Sequence, residues 1–188
     1  MYMKRAITIV LVALLILPAF SQELSKKEQR QLAKELKKEA QSEELAEKSL
    51  LVTAMINQAT FVLEAYTLRG KRGESIQVSS ALNFVAADST TGMLQVGSDA
   101  GIGPNGVGGV TVKGQVKDYK FSQHEKSGGY NVSYYLQTPD GTFEVRLRAY
   151  PDGRADADIS NATWGGRITF IGYLVHPSLS RVYEGMAL

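Results

Sequence analysis

The sequence predicts a mainly β protein: an antiparallel meander of about nine strands forming a strongly curved sheet or barrel, preceded by a long N-terminal helix. Three observations predict it. Beyond Ala59 the apolar residues recur at every second position, the period of a half-buried strand. The alternating runs are joined by short turns rich in Gly, Pro and Asp, too short for helical crossovers, so successive strands are antiparallel neighbours. Before Ala59, residues 24–56 contain neither Gly nor Pro and are dominated by Ala, Leu, Lys, Glu and Gln, the residues that favour helix.

The chain opens with Lys4 and Arg5, continues as an apolar run over residues 6–20, and then sets the small residues Ala19 and Ser21 either side of Phe20. This is the three-part layout of a secretory signal peptide. This almost unbroken run of fifteen residues makes a helix of roughly 22 Å, short of the ~30 Å hydrocarbon core of a bilayer. Pro18 ends that helix. Cleavage is expected between Ser21 and Gln22, leaving a periplasmic or secreted protein with no stable membrane insertion.

Residues 22–48 read as a charged helical spacer. Ser25 and Glu28 form a capping box. Apolar residues are sparse (Leu32, Ala33, Leu36, Ala40, Leu45), while Glu35, Glu39, Glu43 and Glu47 form an acidic stripe beside the basic Arg30, Lys34 and Lys38. A solvated spacer is the plain reading, and a partner-binding or self-associating helix the sharper one. From Leu51 the helix changes character. Leu51, Val52, Met55, Ile56 and Ala59 make a buried stripe, so this half packs on the domain, covering an open face or plugging one end. Residues 49–188 are then one β-rich domain.

Strands are expected at 61–68, 74–79, 82–87, 92–97, 110–117, 130–137, 142–150, 154–159 and 167–175. Phe143, Val145, Leu147 and Ala149 face one way, and Glu144, Arg146 and Arg148 the other. After Val110, Val112, Gly114 and Val116 the apolar phase slips to Tyr119 and Phe121, which predicts a bulge near Lys117 and Asp118. Pro139-Asp140-Gly141 and Pro151-Asp152-Gly153 are turns in which Pro pre-sets φ and Gly accepts a positive one. The last strand is apolar on both faces, so it is central or lies under the helix.

Composition excludes several classes. Two of the 21 basic residues leave with the leader, so 19 remain against 19 acidic ones, and a neutral protein is suited neither to nucleic acid nor to an anionic membrane surface. Without cysteine there is no disulfide, no thiol chemistry and no lipobox. Gly101, Gly103 and Gly106 match the dinucleotide fingerprint, but Pro104 interrupts it and a strand follows where a helix must open. The plain reading is a loop, and the sharper one a ligand-gating loop. Asp152, Asp156 and Asp158 lack a calcium loop's spacing and closing Glu. His124 and His176 stand apart in loops, and no nucleophile elbow occurs. No metal or cofactor is implied. The candidate ligand contacts are Asn105, Tyr134, Trp164 and Arg167. Trp164 beside glycines either stacks on a ligand or folds back as a core cap.

Five blocks carry a resemblance: residues 61–73, Leu82 to Ala86, Asn105 to Gly114, Gly165 to Phe170, and Ser180-Arg-Val-Tyr-Glu-Gly185. In that order the chain resembles a secreted domain-of-unknown-function family, number 4251, of Bacteroidetes bacteria. The resemblance covers roughly Lys48 to the C-terminus. It implies export into a Gram-negative envelope and a β-rich domain, and it implies no activity. The glycosylation sequons at Asn131 and Asn161 are then irrelevant. The expected function is a non-enzymatic envelope protein binding a small or apolar ligand in a barrel or curved sheet. A protein-protein interaction module using the helix or a sheet edge is the alternative, and a hydrolase with an unrecognised site a third.

Overall fold

The computed structural model describes residues 26–98, 106–161 and 165–187. The expected leader and the capping residue Ser25 lie outside them. Among the described residues one helix, α1 (Lys26–Gln58), precedes nine strands: β1 (Thr60–Gly70), β2 (Ser75–Gln77), β3 (Phe84–Asp88), β4 (Thr91–Val96), β5 (Val110–Gln123), β6 (Tyr130–Thr138), β7 (Gly141–Ala149), β8 (Arg154–Asn161) and β9 (Gly166–Val175). The chain divides into two compact units, Met1–Ala40 and Gln41–Leu188. In the first, the described part of α1 is exposed throughout.

In the second unit the strands pair in the order β2-β1-β3-β4-β5-β6-β7-β8-β9, and β1 also pairs with β9. Every pairing is antiparallel, so β1 and β3–β9 close an eight-stranded barrel with β2 as an extra strand on β1. Closure needs both predicted and unpredicted irregularities. The register of β5 against β6 shifts between Lys117 and Lys120, where Asp118 takes φ 53°. This is the bulge that the phase slip foretold. A second shift, between Ala65 and Thr67, bends β1 along its seam with β9. Beside that bend, β1 crosses Gly172 so closely that a Cβ there would fall on the Glu64 carbonyl.

The end of α1 plugs the barrel. Val52, Met55 and Ile56 are buried in one core cluster with Phe61, Leu63, Tyr134 and Leu147. The Tyr119 hydroxyl donates to the Ile56 carbonyl at 2.8 Å, a second donor beside the Ala59 amide at the helix C-terminus. Thr53 donates to the Ser49 carbonyl, so its contact of 3.0 Å with Tyr130 is made by the Tyr130 proton. Leu51, expected in the stripe, is 52% exposed. The plug presents a narrow face that Val52, Met55, Ile56 and Ala59 already fill, and Leu51 falls on its flank. The two faces of β9 also differ from expectation. The strand is bonded on both sides, but only the face of Ile168, Phe170, Gly172 and Leu174 turns to the core, while Tyr173 is half exposed against Tyr66.

A smaller apolar cluster lies on the outer wall. Val62, Phe84 and Met93 pack under Val182, in the segment that follows β9. That segment is tied down by Glu64, which accepts from Ser180 and the Arg181 amide, and by Gln95.

Candidate functional site

Antiparallel pairing sorts the barrel into two ends. The end near α1 is filled by large side chains: Tyr119, Tyr130 and Tyr134 join the plug there. At the other end the inward positions of β4, β5, β7, β8 and β9 hold Leu94, Val96, Val112, Phe143, Ile159 and Phe170. These leave a cavity of about 270 Å³, with Asn161, Gly166 and Arg167 at its mouth. An eight-stranded barrel is just wide enough either to fill itself with side chains or to hold one small ligand. This one does the first at the helix end and leaves room for the second at the open end.

Gly166 and Arg167 lead out of the cavity to a groove of about 370 Å³ on the outer wall, which Lys71, Tyr135, Thr142, Glu144 and Ser160 also line. The outer wall is otherwise a ladder of ion pairs. Arg148 meets Asp156 at 2.7 Å from the directly opposite register position, and Arg146 meets Glu144 at 2.8 Å. Arg167 meets Asp158 at 2.7 Å, and Thr169 donates to the same carboxylate at 2.6 Å. A depression lined by Lys120, Arg146 and Arg148 is larger, about 430 Å³, but is an open polar hollow of this outer wall. The three aspartates considered for calcium are thus all in pairs with arginines, Asp152 with Arg154 at 2.6 Å. Among the described residues no cluster of three or more metal-ligating His, Cys, Asp or Glu occurs.

Arg167 therefore stands at the mouth of the cavity, held in place by Asp158. Burial of Asp158 pushes its pKa up, but the hydrogen bonds of Thr169 and Arg167 and the charges of Arg167 and Arg148 outweigh it and hold the carboxyl below its ordinary value. A depressed carboxylate contributes stability above its unfolded pKa of about 3.9 and loses it as pH falls through the folded value. The wild-type urea midpoint should fall further between pH 6 and pH 2 than that of Asp158→Asn, and parallel profiles would deny the carboxylate this role.

Tyr134 lies deeper, 2% exposed, with its ring 6.0 Å from that of Tyr119 and away from the cavity lining. Its hydroxyl has no hydrogen-bond partner among the described residues, and burial pushes its pKa well up. An unpaired buried hydroxyl costs about 1–3 kcal/mol. Tyr134→Phe should accordingly match or exceed the wild-type melting temperature, and a clear loss would reveal a partner for the hydroxyl. Asn105 and Trp164 lie outside the described residues. The structure so brings one sequence candidate, Arg167, to the cavity and places Tyr134 in the core. Sequence reasoning missed the apolar lining and Lys71. Alternation marked the lining residues as inward-facing, but nothing in it marks which inward volume stays unfilled.

A family model described as a domain of unknown function (DUF4251) matches residues 43–174. The chain belongs to this family. A crystal structure of a DUF4251 family protein from Bacteroides eggerthii is 31% identical, with a TM-score of 0.61, over 72% of this chain and 91% of that one. No curated protein matches the chain. The DUF4251 match spans α1 from Glu43 through β9, and so takes in the plug and the described strands that line the cavity.

Proposed function

We propose that this DUF4251 protein is an exported, non-enzymatic envelope protein whose barrel takes a small apolar ligand into its open end. The observation that carries the reading is the apolar cavity of about 270 Å³ in a lumen whose other end is filled. It is near the lower limit of the ~300–1,000 Å³ of ordinary ligand pockets, with few polar groups at its mouth. The export address rests on the leader of residues 1–21. The charged ladder on the outer wall inverts the lipid-facing apolar band of a membrane-spanning barrel and supports a protein working in water.

The test is a titration of the chain from Gln22 with N-phenyl-1-naphthylamine, an uncharged fluorophore that brightens in apolar surroundings. Saturable binding is expected. Val112→Trp and, as a milder filling, Leu94→Phe should weaken it at least about tenfold while melting cooperatively, because each fills the cavity. Deleting residues 22–40 should leave it unchanged, since the lining lies wholly in the second unit. Absence of binding by the wild type, or equal binding by folded filling variants, would overturn the reading.

A further inference from the structure

The cavity and the outer groove are not independent hollows. They share Asn161, Gly166 and Arg167, so the apolar chamber adjoins, over the start of β9, a trough whose charged lining residues are Lys71, Glu144 and Arg167. The charges around that trough do not balance. Arg167 is neutralised by Asp158 and Arg146 by Glu144. Lys71, in the turn after β1, lines the trough with no ion pair among the described residues. The Glu74 carboxylate of the same turn lies over Gly70 rather than along the trough. One positive charge is left facing whatever emerges from the chamber.

We infer that the ligand is a single-chain amphiphile with an anionic headgroup, its tail in the lumen and its head in the trough beside Lys71 and Arg167. The inference rests on the apolar-ligand reading and adds the chemistry of the head and the number of tails. A volume of about 270 Å³ takes one chain and not the two of a phospholipid. From Arg167 to Phe170 the strand rises about 10 Å, enough for a medium-length tail. The donors of Lys71 and Arg167 suit a carboxylate, and Asp158 holds the guanidinium in place.

Decanoate, decanol and decylamine share a chain and differ in the head, so their displacement of N-phenyl-1-naphthylamine from the chain beginning at Gln22 separates the two claims. Decanoate should displace the probe at a concentration at least about threefold below decanol, with decylamine weakest, and the gap should narrow as salt rises. Lys71→Gln, an exposed turn substitution, should remove the decanoate advantage and leave decanol unchanged. Equal displacement by decanoate and decanol, or the strongest displacement by decylamine, would overturn the anionic head while the apolar-ligand reading stands. No probe binding to the wild type would overturn both.

Discussion

Gly172→Ala should destabilise the barrel by about 3 kcal/mol or more, the upper end of what overpacking costs, because the obstacle is backbone. The barrel is closed by a single seam, β1 against β9, running from Val62 with Val175 to Gly70 with Ile168. Gly172 sits in the middle of it, opposite Ala65, where β1 bends. A Cβ at 172 would fall on the Glu64 carbonyl oxygen, 2.7 Å from its carbon and 2.8 Å from the Ala65 Cα. A crowded side chain could rotate away. A crowded strand can retreat only by giving up its neighbouring pairs, Glu64 with Tyr173 and Ala65 with Gly172. Gly166→Ala is the control, since a Cβ at the start of the same strand meets nothing within 4 Å. Urea unfolding of the two variants should separate them clearly. Equal midpoints would show that the seam tolerates a side chain and that closure does not depend on this glycine.

The strands were legible because their inner and outer faces meet different surroundings. Phe143, Val145 and Leu147 are buried while Arg146 and Arg148 pair on the outer wall, and that contrast is written directly as alternation. The bulge at Asp118 was legible for the same reason: an extra residue shifts the apolar phase. The bend at Tyr66 was not, because Val62, Leu63, Ala65, Thr67 and Leu68 are all buried and the phase there is blurred by packing on both faces. Closure itself depends on residues 62–70 meeting 168–175, about a hundred positions later, and no local pattern encodes such a pairing. The candidate site was the least legible part. Its lining is made of the same Val, Leu, Ile and Phe as the filled end, and Lys71 looked like an ordinary turn lysine.

Gln95→Met should cost a similar amount, about 2–4 kcal/mol, through unsatisfied groups rather than crowding. Gln95 is fully buried, and its amide is saturated. The nitrogen donates to the Leu82 carbonyl at 3.1 Å and the Tyr183 carbonyl at 2.8 Å. The oxygen accepts from the Thr111 hydroxyl at 2.9 Å and the Gly185 amide at 2.8 Å. Methionine fills the same space and offers none of these. Thr111, on β5, loses the acceptor of its hydroxyl, and Leu82, in the turn before β3, loses a donor to its carbonyl. Tyr183 and Gly185 belong to the segment after β9, which can lift away and be hydrated instead. That segment lies beyond residues 43–174, which the family model matches, and it latches over Val62, Phe84 and Met93. Two consequences separate this account from simple loss of packing. The Tyr183 amide, bonded to the Ala81 carbonyl at 2.8 Å, should lose hydrogen-exchange protection along with Gly185 before the strands do. Truncation after Leu179 should cost much less in the Met variant than in the wild type, because the latch is already open. Retained protection at both amides, or fully additive costs, would mean that the tail is held by something other than Gln95.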